Sequence, residues 1–125
     1  MNGNKFLLDT NAVTALLQGN ATLVELLKTA EWVGISIISQ LEFLANPALN
    51  ADDRVLFDSF LNRVQVIDLA QHDTVLLSSI IKIRTTYRLK LPDSIIAASA
   101  LQTKAILLTA DGGFRNIKNL KVLSF

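Results

Sequence analysis

Short apolar runs alternate with longer stretches of helical periodicity along this chain. Lys5–Leu8, Val33–Ile38, Val64–Ile67, Ala105–Leu108 and Lys121–Leu123 are rich in Val, Ile and Leu. They lack a clean apolar–polar alternation, the pattern of strands buried on both faces. Between them, Val13, Leu16 and Leu17 form one helical stripe, and Leu23, Leu26, Leu27 and Ala30 a second. Leu56, Phe60 and Leu61 mark a third. Leu76, Ile80, Ile83 and Tyr87 step by four, three and four residues, which predicts an amphipathic helix. The stretch Asp93–Thr103 is small and apolar nearly all round and predicts a buried helix. Strands alternating with helices predict an α/β fold, a central parallel sheet of about five strands with helices on both faces. Ligands of such sheets bind outside the carboxyl ends of the strands. The residues just after each strand therefore carry the functional information.

Composition narrows the class. A chain of 125 residues suits one domain, taken as residues 1–125. Half the residues are apolar and 18% are charged, which excludes a disordered chain. The absence of cysteine excludes a disulfide framework, a cysteine zinc site and a thiol nucleophile. Phe6–Leu8 is too short for a signal-peptide core, and no apolar run spans a membrane, so a soluble, cytoplasmic protein is expected. Twelve Lys and Arg face eleven Asp and Glu. If four acids share one site, the rest of the molecule is basic, as suits a metal-dependent enzyme handling a polyanion.

Four acids hold informative positions. Asp9 follows the first strand in Leu8-Asp9-Thr10-Asn11. Glu42 follows the second in Ser39-Gln40-Leu41-Glu42, which also reads as a capping box with Ser39 as the cap. Asp93 stands at a proline-marked helix start in Leu91-Pro92-Asp93-Ser94, and Asp111 follows the fourth strand in Thr109-Ala110-Asp111-Gly112. Singly, each has a plainer reading as a cap or a turn. Four carboxylates in one crevice repel one another and raise their pKa values, a cost that a hard divalent cation removes. Mg²⁺ or Mn²⁺ prefers oxygen ligands, and one histidine does not make a usual zinc site. The coherent expectation is Mg²⁺ or Mn²⁺ held by Asp9, Glu42, Asp93 and Asp111.

These pieces, Leu-Leu-Asp9-Thr10-Asn11, Ser39-x-x-Glu42, Leu-Pro-Asp93-Ser-Ile-Ile-Ala-Ala and Leu-Thr109-x-Asp111-x-x-Phe114, match a family in order and spacing. The chain resembles the PIN-domain ribonucleases and, within them, the VapC-type toxins of bacterial and archaeal toxin–antitoxin pairs. The resemblance spans residues 5–125. It implies a single PIN-like α/β domain, metal-dependent endonuclease activity on RNA, a homodimer, and a cognate antitoxin whose C-terminal segment lies across the active-site groove. It carries Asp9, Glu42, Asp93 and Asp111 over as the acidic quartet. Asn11 and Thr109 carry over as residues that orient carboxylates or water. Gly113 stands where the family often has an acid before the phenylalanine, which bears on whether a second metal is held.

Hydrolysis would use Asp9 and Asp93 as principal ligands. Asp111 and Glu42 would act through water or on a second ion, one of them accepting a proton. Lys82, Arg84, Arg88 and Lys90 precede Asp93, and Arg115 follows Asp111. They read either as a solvated face or as phosphate contacts near the site. Aromatic residues are too few for base-stacking readout. His72 reads as a surface or cap residue, and Trp32, placed before a strand, as core or dimer surface. Three alternatives are weighed. A phosphatase of the haloacid dehalogenase type needs a second acid where Asn11 stands. A receiver domain needs an acidic pair and a late lysine. The third is a PIN-like module that binds without cutting.

Overall fold

The centre of the molecule is a strand with both faces covered. The computed structural model describes residues 3–125, so Met1 and Asn2 of the expected 1–125 span lie outside the described residues. In β1 (Asn4–Leu8), Phe6, Leu7 and Leu8 are all buried. Successive side chains of a strand point to opposite faces. Phe6 and Leu8 accordingly join a cluster with Val13, Leu23, Ile35 and Phe57, while Leu7 joins one with Leu76, Ile80, Ile83 and Ile96. A strand apolar at every position fits only between two apolar layers.

After β1 come α1 (Thr10–Leu17), α2 (Ala21–Lys28) and β2 (Ala30–Ser36), then α3 (Ile37–Leu44), α4 (Ala51–Leu61) and β3 (Gln65–Ile67). The chain returns through α5 (Thr74–Tyr87) and α6 (Leu91–Thr103) to β4 (Ile106–Leu108) and β5 (Val122–Leu123). All pairings are parallel, in the order β3-β2-β1-β4-β5. The α/β architecture expected from the pattern is therefore present, with five strands and six helices among the described residues. Chain progression reverses between β1 and β4. In an open parallel sheet, that switch point opens a crevice at the strand ends.

α6 lies across this core. Ser94 through Ala100 are buried without a gap, as the small, apolar sequence predicts. Pro92 stands in its first turn, where its missing N–H costs nothing. α5 presents Leu76, Ile80 and Ile83 to the core as expected, with Tyr87 half-buried beside them.

The structure departs from the sequence reading most at β2, α4 and α3. β2 covers Ala30–Ser36 rather than Val33–Ile38, so Ala30 is strand and Trp32 lies within the strand, its ring folded over Gly34. An added Cβ at Gly34 would fall 2.2 Å from that ring, which explains glycine there. In α4 the buried pair is Phe57 and Phe60, while Leu56 is exposed. The cap of α3 is Ser36, whose Oγ accepts from the Ile38 N–H at 3.1 Å. Ser39 is thus the third helical residue and Glu42 the sixth, and no capping box links them. The apolar run Ile35-Ser36-Ile37-Ile38 hides the strand–helix junction, because buried strand and buried helix look alike over so few residues.

Moving the cap leaves the Ser39 hydroxyl buried, and it is the one buried side-chain polar atom among the described residues with no hydrogen-bond partner. An unsatisfied buried hydroxyl costs about 1–3 kcal/mol, and alanine is the better helix former. Ser39→Ala is therefore expected to stabilise the fold by about 1 kcal/mol in urea unfolding. A loss of stability would show that Ser39 has a partner, such as a bound water, that the alanine forfeits.

Candidate active site at the β1–β4 switch point

Asp9 sits where β1 ends and caps α1. Its N–H donates to the Leu108 carbonyl of β4 at 3.0 Å, so the residue bridges the two strands at the switch point. The residue is only 6% exposed. Oδ1 accepts from the Thr10 N–H at 2.8 Å, and Oδ2 accepts from the Thr109 hydroxyl at 2.8 Å. Burial pushes its pKa up. The Thr109 and Thr10 hydrogen bonds pull it down, and the nearby charges of Asp93 and Glu42 push it up again.

The supporting side chains interlock. The Thr109 hydroxyl, 1% exposed, also accepts from the Asp111 N–H at 3.0 Å. The Asn11 side-chain oxygen accepts from the Ala110 N–H at 3.0 Å, while its amide nitrogen stands 3.4 Å from both Asp9 Oδ2 and Thr109 Oγ1. Asn11 and Thr109 thus tie the start of α1 to the turn after β4. Asp111 is exposed and caps the short 3-10 turn Gly112–Phe114, its Oδ1 accepting from the Gly113 N–H at 2.9 Å.

Glu42 reaches the group from α3. The Thr10 hydroxyl donates to Glu42 Oε1 at 2.6 Å. The sequence reading did not single out Thr10. Its signal was there: a hydroxyl directly after the strand-end acid, beside a β-carbon stiff enough to hold an angle. Asp93 stands half-buried in the first turn of α6. Desolvation raises its pKa, followed by the charges of Asp111 and Glu42, while Lys90 lowers it. Asp9 therefore feels Asp93 and Glu42, and Asp93 feels Asp111 and Glu42, across the switch point.

Among the described residues the one ion pair is Lys28–Glu25, on the surface of α2. None of the four acids is compensated by a lysine or arginine at contact distance. Nor, among the described residues, does any group of three Asp, Glu or His converge tightly enough to hold one ion by direct ligation. That donor chemistry fits Mg²⁺ or Mn²⁺, which retains several waters and needs only one or two direct carboxylates. It does not fit a dehydrated zinc centre.

The basic residues separate. Arg88, exposed, takes a left-handed conformation at φ 56° after α5, and Lys90 caps α6 close enough to lower the pKa of Asp93. Arg115 is exposed after the 3-10 turn. The Arg84 guanidinium is used inside the chain, donating to the Leu89 carbonyl at 2.7 Å. Lys82 lines a cavity of about 440 Å³ between α5, α6 and residues 117–119, which contains none of the four acids. His72 is exposed, as expected.

The family model of the PIN domain matches residues 6–120. The chain belongs to the PIN domain family. That membership sets aside the phosphatase and receiver alternatives. No curated protein matches the chain in sequence. Among solved structures it resembles a chain of VapBC2 from Rickettsia felis, determined with a DNA fragment from its promoter. The TM-score is 0.80 at 22% identity, covering 97% of this chain and 98% of that one. A toxin–antitoxin complex from Klebsiella pneumoniae matches with TM-score 0.76 and 26% identity, covering 94% of each chain. VapBC-1 from nontypeable Haemophilus influenzae matches with TM-score 0.77 and 21% identity, over 96% of this chain and 97% of that one. The PIN fold thus runs along nearly the whole chain. Among the described residues no helix is long and apolar enough to cross a membrane.

Proposed function

We propose that this PIN protein is a Mg²⁺- or Mn²⁺-dependent endoribonuclease, a cytoplasmic toxin of the VapC type that works as a homodimer and is silenced by a cognate antitoxin. The observation that carries the chemistry is the set of four uncompensated acids at the switch point, two of them with pKa values raised by burial and by their neighbours. Toxin–antitoxin assemblies among the similar structures support the partner.

Asp9 and Asp93 would hold the ion directly, with Glu42 and Asp111 acting through its waters. When bound, the ion supplies positive charge against the phosphodiester and acidifies water for in-line attack. The protein's own part is positioning. Thr109 and the Thr10 N–H fix both oxygens of Asp9, and the Thr10 hydroxyl fixes Glu42. Glu42, at the exposed edge, or Asp111 would accept a proton from the attacking water. Arg88, Lys90 and Arg115, all exposed, would meet the phosphates on either side of the scissile bond.

Purified protein incubated with a panel of structured and single-stranded RNAs is expected to cut with Mg²⁺ or Mn²⁺ and to stop in EDTA. Cutting that persists in EDTA would overturn the metal dependence. A folded protein that binds Mn²⁺ and RNA but cuts none of the panel, and does not arrest growth when induced, would instead be a binding module.

A further inference from the structure

α5 ends differently from the other helices. The cap residues of α1, α2, α3, α4 and α6 each donate a backbone N–H to carbonyls of the last turn. Among the described residues, the N–H groups of Arg88 and Leu89 make no such bond. The following helix, α6, starts without a side-chain cap at Lys90. The link from Arg88 to Lys90 therefore lacks the backbone closure that the other helix ends have. Two things hold it: the Leu89 side chain, packed on the core, and the Arg84 guanidinium, which donates to the Leu89 carbonyl at 2.7 Å. Asp93 comes three residues after this link, in the first turn of α6.

We propose that Arg84 is a positioning residue for Asp93: by closing the end of α5 onto the Leu89 carbonyl, it sets where α6 begins and where its carboxylate stands. We assign it this role rather than a phosphate contact because one of its guanidinium nitrogens, Nη1, is already engaged within the chain. The assignment rests on the nuclease reading of the acidic site. Charge–charge attraction is not its means of action, because its partner is a neutral carbonyl. A bond to a charged donor is stronger than a neutral one and holds the link against the left-handed strain at Arg88.

The test compares Arg84→Met, Arg84→Lys and Arg88→Ala with the wild type. Arg84→Met is expected to lower kcat about tenfold, the low end for removing an outer-shell partner, with KM and salt dependence unchanged. Its Mn²⁺ affinity, read by calorimetry without RNA, is expected to fall about as much. Arg84→Lys keeps a charged donor and is expected to recover most of both. Arg88→Ala is expected to move KM and the salt slope instead, by about one phosphate contact. Backbone hydrogen exchange at Ser94, whose N–H donates to the Lys90 carbonyl at 3.0 Å, is expected to quicken in Arg84→Met while residues 95–103 stay protected.

If Arg84→Met raises KM and flattens the salt slope with kcat intact, Arg84 touches RNA and the proposal is overturned. Unchanged exchange at Ser94 overturns it too, whatever the activity. If the wild type neither binds Mn²⁺ nor cuts RNA, the nuclease reading fails, and the exchange comparison still decides whether Arg84 holds the link.

Discussion

Replacing Asp93 by asparagine is expected to lower the rate of metal-dependent RNA cleavage roughly 10³-fold, equivalent to the several kcal/mol of charge stabilisation a bound cation contributes. The fold should survive. Asp93 is half-buried at a helix start, and asparagine keeps its shape there while giving up an acid–dipole attraction of about 0.3–1 kcal/mol. RNA binding should change less than the rate, because the lost charge repels phosphate in the absence of metal. Single-turnover cleavage at saturating Mn²⁺, with binding read by fluorescence anisotropy, separates the two. Asp58→Asn, on the exposed face of α4, serves as a control that should cut at the wild-type rate. Cleavage by Asp93→Asn within tenfold of wild type would remove Asp93 from the metal site.

The reason for expecting so large an effect lies in how the acids arrive. They come from four separate places: the ends of β1 and β4, the second turn of α3 and the first turn of α6. Parallel topology brings strand ends and following helices to one edge, and the reversal at β1 and β4 opens that edge. The sequence shows the ingredients because each acid stands at a boundary that local pattern reveals, whether an apolar run ending, a proline or an Asp-Gly turn. It does not show strand order, since pairing is a long-range choice that no local pattern records. It also misplaces the start of α3 by three residues. There Ser36 and Ser39 are both credible caps, and no local pattern decides between them. The correction changes the chemistry: Glu42 no longer serves as a capping-box acid and is instead held by Thr10. Charge positions along the chain were equally legible, but their partners were not. Arg84 reads as one of a basic run until its guanidinium is seen on the Leu89 carbonyl.

Asp9 should show that the site is built at the expense of stability. Its pKa is raised from 3.8, chiefly by desolvation, so the folded state binds the proton more tightly than the unfolded state does. The sign follows. Its contribution is most favourable below pH 3.8, declines as pH rises through the raised folded value, and stays unfavourable at neutral pH. Asp73 works the other way: the Leu76 N–H and Gln102 lower its pKa, so its contribution is lost as pH falls. Comparison of wild type with Asp9→Asn cancels Asp73 and isolates Asp9. In EDTA near pH 7.5 the asparagine variant is expected to be more stable by about 1 kcal/mol, within the range for relieving a functional site. For a chain of this size that is a rise in Tm of about 3–5 °C. The asparagine oxygen still accepts from the Thr10 N–H, while the new amide takes the place of the longer Asn11 contact on the Thr109 hydroxyl. The advantage should shrink as pH is lowered toward the raised folded value, where the wild-type carboxyl takes up its proton. Added Mn²⁺ should reverse the ranking, because an ion that binds only the folded wild type stabilises it by about 2.7 kcal/mol at a hundred times its dissociation constant. Cleavage by the variant should be lost over the whole pH range. If Asp9→Asn is instead less stable in EDTA, with the pH profile of the wild type, the three hydrogen bonds to the carboxylate outweigh its desolvation. The site would then be stable without its ion.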